Sequence, residues 1–262
     1  MQVDLSGLRA LVTGSTRGIG RAIAQALAAN GAHVVINGRR AADVEQAIAA
    51  IRAGVPAAKL AAAAGDVATA TGAADVIKAA GDIDILVNNV GVFEIKAAFD
   101  IPDEDWQRLF DTNVLSGVRL TRHYGPRMRA RGFGRVIFIS SESGVQIPTE
   151  MIHYGFTKSA DLALMRGFAQ ALAGTGVTVN AVLPGPILTE GVDAMFKSMG
   201  QSANDPKVQR AFIENNRPSS IIKRLAKPEE IAEVVAFLCS REASAVTGAP
   251  VRVDGGVVMS IT

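Results

Sequence analysis

The chain has 262 residues, of which 48% are hydrophobic and 20% charged, and its formal net charge is +2. A net charge this small argues against nucleic acid as a partner, and no apolar run approaches the roughly 18 residues that a membrane span needs. The opening "MQVDLSGLRALVTG" lacks the basic and apolar regions of a signal peptide, so we expect a cytoplasmic protein. α/β proteins of this length commonly form one domain, which we expect over residues 1–262.

Two local features are expected to be structural. The single cysteine, Cys239, lies among apolar residues in "EVVAFLCS", which indicates a buried small side chain. It cannot form a disulfide within the chain or a zinc cluster, and we expect no metal site. Six arginines lie between Arg119 and Arg135, and we interpret them as a solvated helix whose last turn complements the helix dipole.

Short apolar runs alternate with longer amphipathic stretches along the chain. The runs are rich in β-branched residues and end at Gly, Asn, Pro or Ser, as is typical of parallel strands that are buried on both faces. In chain order they are "LRALVTG", "AHVVIN", the weaker alanine-rich "KLAAAAGDV", "DILVNN", "RVIFIS", "GVTVNAVLP" and "APVRVDGG". This alternation predicts a single-domain Rossmann fold, in which a doubly wound seven-stranded parallel sheet carries helices on both faces.

A glycine-rich turn follows the first predicted strand. In "TGSTRGIGRAI" the three glycines Gly14, Gly18 and Gly20 allow a tight turn, close approach to a pyrophosphate and contact between the helix and the sheet. The following helix offers free backbone amides to phosphate groups. The turn therefore indicates a dinucleotide site, although a simple tight connection between strand and helix is the alternative.

A tyrosine and a lysine follow the fifth predicted strand in "ISSESGVQIPTEMIHYGFTK". Tyr154 and Lys158 are four residues apart, so on a helix they share one face. Ser141 lies 13 positions before Tyr154. The three side chains together suit acid/base chemistry, whereas the tyrosine and lysine alone could be surface residues. The segment lacks the G-x-S-x-G elbow of a serine hydrolase.

These motifs resemble the short-chain dehydrogenase/reductase family, and the resemblance covers nearly the whole chain. The matching segments are "TGSTRGIG", "NNVG", "DTNV", Ser141, "YGFTK", "PGPILT" and the closing "KPEEIAEVVAFLCSREASAVTGAPVRVDGG". The pattern is closest to that of the oxoacyl carrier-protein reductases. The resemblance implies an oxidoreductase that transfers a hydride between a nicotinamide and a carbonyl or alcohol, and it implies a homotetramer.

The resemblance also implies four catalytic residues. Tyr154 would donate and accept the proton at the reacting oxygen, and the charge of Lys158 would stabilise the phenolate while the same lysine binds the nicotinamide ribose. Ser141 would hold the reacting oxygen, and Asn113 would anchor a water that relays protons. Asn113 could instead cap a helix.

Neighbouring residues offer alternatives to this assignment. Ser140 and Ser143 compete with Ser141, but only Ser141 has the family's spacing to the tyrosine and the S-x-x-G continuation to Gly144. Ser143 could face the substrate instead. His153 precedes Tyr154, but consecutive residues on a helix point about 100° apart, so we expect His153 to face elsewhere.

Residues that follow the predicted strands form the expected cofactor site. The glycine-rich turn and Arg39 supply the candidates Gly14, Ser15, Thr16, Arg17, Gly18, Ile19, Gly20 and Arg39. The family resemblance implies that Asp66, Val67, Asn89, Tyr154, Lys158, Ile187 and Thr189 also bind the cofactor. After the second strand the chain reads Gly38-Arg39-Arg40, without the acidic residue that binds an unphosphorylated ribose. Arg39, with Arg17 from the glycine-rich turn, therefore predicts a preference for NADP over NAD.

Residues 190–220, called the lid segment below, occupy the place of a mobile substrate lid in the resembled family. We expect Met195, Phe196, Met199 and Phe212 to give it an apolar face, which indicates a medium-sized apolar carbonyl or alcohol substrate.

Two other functions stay open. A carrier-protein reductase would be expected to have an arginine where this chain has Thr175, although Arg131 could partly substitute. A nucleotide-binding sensor or scaffold without activity is a further alternative, but such proteins usually lose the tyrosine or the lysine.

Overall fold

The apolar runs form one seven-stranded parallel sheet in the computed structural model, which describes residues 3–261. The strands are β1 (Arg9–Val12), β2 (His33–Gly38), β3 (Lys59–Ala64), β4 (Ile85–Asn88), β5 (Gly134–Ile139), β6 (Val177–Pro184) and β7 (Pro250–Val253). Their order in the sheet is β3-β2-β1-β4-β5-β6-β7, and every neighbouring pair is parallel. The predicted fold is confirmed.

The alanine-rich strand β3 forms at the edge of the sheet. It pairs with β2 along its whole length, from Lys59 opposite His33 to Ala64 opposite Gly38. Backbone hydrogen bonds to β2 stabilise this strand, which explains how it forms despite the low strand propensity of alanine.

Nine α-helices occur within residues 3–261. They are α1 (Gly18–Ala29), α2 (Ala41–Gly54), α3 (Ala70–Ala80), α4 (Asp103–Leu109), α5 (Ser116–Arg131), α6 (Ile152–Ala171), α7 (Glu190–Ser198), α8 (Pro206–Asn216) and α9 (Pro228–Cys239). A π-helical stretch, Phe110–Leu115, joins α4 to α5, and two 3₁₀ turns, Glu142–Gly144 and Thr149–Met151, precede α6. Several helices begin with a side chain that caps the first turn. At the start of α8, for example, the Asp205 side chain accepts from the amide of Lys207, and Pro206 is the first helical residue.

The helices cover both faces of the sheet. Alternate strand residues point to opposite faces, so Val12 packs in the core layer that includes α1, α2 and α9. Leu11, its neighbour, packs in the layer that includes α3, α5 and α6. Because both faces are covered, the five inner strands are buried almost throughout and largely apolar, which is why they could be recognised as continuous runs.

The order in which strands are added to the sheet reverses between β1 and β4. Strands β1 to β3 are added toward one edge, and β4 to β7 toward the other. The loops after β1 and β4 therefore diverge and leave a crevice at the carboxyl ends of these strands. This topology places the glycine-rich turn and the "NNVG" segment beside each other.

The arginine-rich segment is only partly a solvated helix. Arg129 and Arg131 lie in the last turn of α5, as expected. Arg135, however, is buried in β5, where its guanidinium donates to the backbone carbonyls of Ser240 and Gly176. The interpretation is therefore wrong for Arg135, because this side chain ties β5 to neighbouring loops.

Cys239 is fully buried at the end of α9, and burial raises the pKa of its thiol to about 12. This environment agrees with a packing role. Within residues 3–261, no helix is both long and apolar enough to span a membrane.

Candidate active site

The glycine-rich turn lies at the crevice and brings the backbone of β1 close to that of α1. Gly14 and Gly18 have positive φ angles, 61° and 56°, which favour glycine. At Gly20 a Cβ atom would lie 2.4 Å from the carbonyl oxygen of Gly14 and from Nδ2 of Asn89. No other residue type fits at Gly20 without a shift of the backbone. The first turn of α1 thus faces the crevice at short range, as binding of a pyrophosphate requires.

The side chains of this turn do not all reach the crevice. Thr16, Arg17 and Ile19 line it, as predicted. Ser15 is buried instead; its hydroxyl donates to the carbonyl of Val12 at 2.7 Å and accepts from the amide of Asn37 at 2.9 Å. Its side chain therefore holds the turn against β2, and contact between Ser15 and the cofactor stays a prediction.

A carboxylate from the lid segment contacts the same turn. Glu190 accepts from the backbone amide of Gly18 at 3.0 Å and pairs with Arg21 at 2.7 Å. This contact covers Gly18 and joins the start of α7 to the start of α1. Nothing in the sequence pattern indicated it.

The ends of β2, β3 and β4 supply the next group of predicted cofactor residues. Asp66 and Val67 follow β3 and line the crevice, and the Asp66 carboxylate accepts from the amide of Ala68 at 3.0 Å. Asn89, after β4, donates to the carbonyl of Thr13 at 2.8 Å. The structure therefore brings these residues together with the glycine-rich turn, although the Asn89 amide is occupied in holding β4 to β1.

The two arginines after β2 differ in their surroundings. Arg40 donates through Nε and Nη2 to Asp43, at 2.7 and 2.8 Å. Arg39 is exposed at the crevice, and among residues 3–261 no hydrogen-bond or ion-pair partner contacts its guanidinium. Arg17 is exposed at the same crevice and has no such partner within the described part of the chain. Arg39 and Arg17 are therefore both available to an anionic ligand.

Ser141 and Tyr154 meet at the floor of the crevice. Ser141 follows β5, and Tyr154 lies in the first turn of α6. A Cβ atom at Gly144 would lie 2.8 Å from the backbone of Lys158, so glycine allows the serine loop to approach α6. This close approach explains the S-x-x-G pattern. Of the two neighbouring serines, Ser140 donates its hydroxyl to the carbonyl of Lys158 at 2.8 Å, whereas Ser141 is the one that hydrogen-bonds with Tyr154.

Lys158 is buried below Tyr154 and is held in place by two acceptors. Its ammonium donates to the carbonyl of Ile139 at 2.9 Å and to the carboxylate of Asp161 at 3.0 Å. Burial disfavours the charged ammonium, but Asp161 and the negative charge of an ionised Tyr154 together outweigh this effect, so the pKa of Lys158 is raised. Burial raises the pKa of Asp161 to about 6, although Lys158 acts in the opposite direction.

The phenol of Tyr154 is harder to ionise than free tyrosine. Burial raises its pKa, and this effect exceeds the lowering by Lys158 and by a hydrogen bond with Ser141. Glu142 and Asp161 add to the increase through their negative charges. Lys158 thus lowers the pKa of Tyr154, as the proposed stabilisation of the phenolate requires. This effect is smaller than the increase caused by burial.

Asn113 lies behind the crevice, in the π-helical stretch, and is almost fully buried. Its side-chain amide accepts from the backbone amide of Val92 at 2.8 Å and donates to the carbonyl of Val92 at 2.9 Å. It also donates to the hydroxyl of Thr157 on α6 at 2.9 Å. The capping alternative is wrong, since the side chain instead connects the loop after β4 to α6. The relay of protons stays a prediction.

Ile187 and Thr189 complete the predicted set after β6, and both line the crevice. The Thr189 hydroxyl also caps α7 by accepting from the amide of Val192. The crevice has a volume of about 1590 Å³. Sites for a single drug-sized ligand usually have about 300–1,000 Å³, so there is room for a dinucleotide and a second small molecule.

Besides Glu190, three residues of the site were not found from the sequence. Asp161 contacts Lys158, while Glu142 and Arg217 form an ion pair that lines the crevice. Asp161 lies three residues after Lys158, so helical spacing could have identified it. Arg217 is separated from Glu142 by 75 positions, and no local pattern connects them.

Comparison with known proteins identifies the family. A family model described as enoyl-(acyl carrier protein) reductase matches residues 14–258. The chain is 36% identical to dehydrogenase/reductase SDR family member 4 of Bos taurus, over 94% of this chain and 86% of the relative. The chain belongs to the short-chain dehydrogenase/reductase family. It is also 48% identical to the uncharacterized oxidoreductase YvaG of Bacillus subtilis, over 100% of both chains.

A solved structure extends the similarity of this short-chain dehydrogenase/reductase to its whole fold. L-Sorbose reductase from Gluconobacter frateurii, determined in complex with NADPH and L-sorbose, matches with a TM-score of 0.91 at 32% identity and covers 100% of both chains. The protein is therefore an oxidoreductase that acts on CH–OH or C=O groups with NAD(P).

His153 and Arg131 lie away from the reaction site of this short-chain dehydrogenase/reductase. His153 is fully buried, and its ring packs edge-on against Trp106 at 6.0 Å, as expected for a residue that faces away from the crevice. Arg131 contacts Asp84 at 3.5 Å and donates to the carbonyl of Ile83 beside the start of β4. Its guanidinium is therefore engaged within the chain.

Proposed function

We propose that the protein transfers a hydride between NADP(H) and a medium-sized carbonyl or alcohol substrate with an apolar part, with Tyr154 as the general acid and base. One observation carries this proposal. Ser141, Tyr154 and the buried Lys158 line the same crevice as the glycine-rich turn, although they come from different parts of the chain.

The side chains divide the chemical work. In reduction, the Tyr154 hydroxyl gives its proton to the carbonyl oxygen; in oxidation, the phenolate takes the proton of the alcohol. The Ser141 hydroxyl holds the same oxygen, and the Lys158 ammonium counters the negative charge of the phenolate. The nicotinamide, when bound, supplies or accepts the hydride. Asn113 supports this arrangement by fixing the loop after β4 against α6.

The crevice fits a phosphorylated dinucleotide. Gly14 and Gly20 allow the tight turn, because a Cβ atom at either position would press against Asn89. The start of α1 then offers backbone amides to the pyrophosphate. The unpartnered guanidiniums of Arg39 and Arg17 suit the 2′-phosphate, because charge-assisted hydrogen bonds to phosphate are strong. Structural relatives solved with NADP support this choice.

The wall toward the lid segment is largely apolar. Met195, Met199 and Phe212 line the crevice, as predicted. Phe196 does not. It is 1% exposed and packs edge-on against Phe212 at 5.2 Å, in a small core with Ile213. Phe196 therefore does not belong to the apolar face that we expected of the lid segment, because hydrophobic burial turns this ring into the segment.

Substitution of Met199 and of Phe196 is expected to give different results. Met199→Ala should raise KM for a large apolar ketone by a factor equivalent to about 1–3 kcal/mol, because its exposed side chain lines the crevice. Phe196→Ala should mainly destabilise the fold, by about 3–5 kcal/mol, since it leaves a cavity. KM values and thermal unfolding curves distinguish the two. Equal KM increases for small polar and large apolar ketones in Met199→Ala would show that the lid segment does not contact the substrate.

Asp161→Asn is expected to move the pH profile of alcohol oxidation toward higher pH. Oxidation requires the Tyr154 phenolate, so the rate rises with pH until the phenol is ionised. Asp161 helps to keep the buried Lys158 charged, and Lys158 lowers the pKa of Tyr154 more than Asp161 raises it. Loss of the Asp161 charge should therefore raise the pKa of Tyr154. The measurement is kcat/KM for oxidation against pH, with exposed Glu45→Gln on α2 as the control. A rising limb that stays in place or moves to lower pH would contradict the proposed coupling.

We also propose a homotetramer, as the family resemblance implies. Phe156 on α6 is 45% exposed and stacks on Phe110 at 6.3 Å, so these rings leave an apolar surface on that side. Light scattering of the purified protein gives the mass directly, and a monomer at micromolar concentration would exclude this assembly.

A substrate panel tests the proposed function. Purified protein with NADPH should oxidise the cofactor in the presence of ketones or aldehydes, and acyl thioesters test the carrier-protein alternative. Activity only with acyl thioesters would favour that alternative. Binding of NADPH without turnover of any compound would favour a nucleotide sensor instead.

A further inference from the structure

A partly buried ion pair lies in the proposed substrate part of the crevice. Arg217, immediately after α8, donates through Nε to Oε1 of Glu142 at 2.8 Å, and the two side chains are only 17% and 5% exposed. Both residues line the crevice. Removing two charges from water is costly, and a structural pair here could have been replaced by apolar residues. The position of the pair in the crevice therefore suggests a role in binding.

The carboxylate of Glu142 also contacts the proposed catalytic serine. Its second oxygen, Oε2, accepts from the hydroxyl of Ser141. An oxygen of the substrate that binds to Ser141 would thus lie beside a carboxylate. Arg217 donates through Nη1 to the carbonyl of Asn216, but its Nη2 has no hydrogen-bond acceptor within residues 3–261. The pair therefore presents an acceptor and a donor side by side.

The charges of this pair favour a neutral polar group over an ion. Glu142 already neutralises Arg217, and an anionic group that reached Arg217 would also approach the Glu142 carboxylate. A hydroxyl can donate to a carboxylate and accept from a guanidinium at the same time, so it satisfies both partners. Ser141 sets the position of this hydroxyl relative to the reacting oxygen, because the Glu142 carboxylate and the Ser141 hydroxyl are within hydrogen-bonding distance of each other. Two oxygens bound to these neighbouring groups are close together, as oxygens on adjacent carbons are.

We infer that Glu142 and Arg217 bind a hydroxyl group on the carbon next to the reacting carbon. The substrates are then α-hydroxy ketones or aldehydes and the corresponding vicinal diols, with their apolar remainder against Met195 and Met199. This inference rests on the proposed function, since it assumes that the reacting oxygen binds at Ser141 and Tyr154.

Three substrates of equal chain length test the inference. They are 1-hydroxy-2-hexanone, 1-methoxy-2-hexanone and 2-hexanone, each reduced with NADPH. The methoxy compound keeps the electron-withdrawing oxygen but cannot donate a hydrogen bond. The hydroxy ketone should exceed the methoxy ketone in kcat/KM by about 10- to 100-fold, the usual effect of a hydrogen bond to a charged group. In Glu142→Gln this ratio should fall at least about fivefold.

Two further variants complete the test: one probes the same ion pair from its other side, and one is a control for charge removal elsewhere in the crevice. Arg217→Met should also lower the ratio, because Glu142 loses the partner that holds it at the wall, and this variant decides the matter if Glu142→Gln does not fold. Glu150→Gln is the matched control. Glu150 lines the same crevice, but its carboxylate contacts only the Thr149 hydroxyl among the described residues, so the ratio should not change.

The possible outcomes separate this inference from the proposed function. Equal kcat/KM values for the hydroxy and methoxy ketones in the wild type would overturn the inference and leave the proposed function intact. A preference for 2-oxohexanoate over the hydroxy ketone would also overturn it, in favour of a carboxylate at Arg217. No reduction of any ketone or aldehyde would overturn the proposed function, and this inference with it.

Discussion

Tyr154→Phe is expected to lower kcat by about 10²–10⁴-fold while NADPH affinity stays nearly unchanged. The phenolic proton is needed only at the reacting oxygen, and loss of a general acid typically has an effect of this size. The phenyl ring of the variant keeps the edge-on contact with Phe93 that Tyr154 makes at 6.0 Å, so the crevice should keep its shape. Steady-state kinetics give kcat, and a fluorescence titration gives the dissociation constant of NADPH.

Tyr124→Phe is the matched control for this experiment. Tyr124 is the other tyrosine of the chain and is fully buried in the core on α5. Its hydroxyl has no hydrogen-bond partner among residues 3–261, so its removal should leave kcat near the wild-type value. Near-normal turnover in Tyr154→Phe, or an equal loss in both variants, would refute the assignment of Tyr154 as the acid and base.

The second large effect concerns cofactor selectivity. The wild type should have a higher kcat/KM with NADPH than with NADH, because Arg39 and Arg17 are free to bind the 2′-phosphate. Arg39→Ala combined with Gly38→Asp should shift the preference toward NADH, since one change removes a cation and the other adds a carboxylate at the end of β2. Loss of charged hydrogen bonds of about 1.5–3 kcal/mol corresponds to about 10- to 100-fold in the ratio.

The structure shows that this variant needs a third substitution. A Cβ atom at Gly38 would lie 2.4 Å from the Cγ2 methyl of Thr16. Thr16→Ser removes that methyl and keeps the hydroxyl, so Thr16→Ser/Gly38→Asp/Arg39→Ala is the variant to measure. Thr16→Ser alone is its background control.

Arg40→Ala is a second control for cofactor selectivity. It removes a neighbouring arginine whose guanidinium already pairs with Asp43, so it should change the cofactor ratio little. A wild type that favours NADH, or does not discriminate, would show that the interpretation of Gly38-Arg39-Arg40 is wrong. If Arg40→Ala lost as much discrimination between NADPH and NADH as Arg39→Ala does, the assignment of the phosphate contact to Arg39 would be wrong.

The sequence by itself determined the features that depend on neighbouring residues. Strands buried on both faces must be apolar along their length, so the five inner strands could be recognised as runs. A tyrosine and a lysine four residues apart share a helix face wherever the helix lies, and the glycines of a tight turn must be close in sequence. The fold and the crevice lining by Ser141, Tyr154 and Lys158 followed from such local rules together with the family resemblance.

Only the tertiary structure decided which way a side chain points when the local sequence pattern allows more than one direction. Ser15 was predicted to contact the cofactor and Phe196 to lie on the apolar face of the lid segment, yet packing turns one toward β2 and the other into the core of the lid segment. Arg135 resembled the surface arginines before it but is buried. The direction of each side chain depends on which distant element packs above it, and a pattern along the chain does not contain that information.

The pairing of Glu142 with Arg217 shows the same limit most clearly. These residues are 75 positions apart and meet because the end of α8 reaches the loop after β5. Charge and spacing along the chain do not distinguish Arg217 from exposed arginines such as Arg210, which pairs with Glu214 on the same helix. An ion pair between distant segments forms only where the fold removes both side chains from water together, so the polar wall of the substrate site was decided by tertiary packing alone.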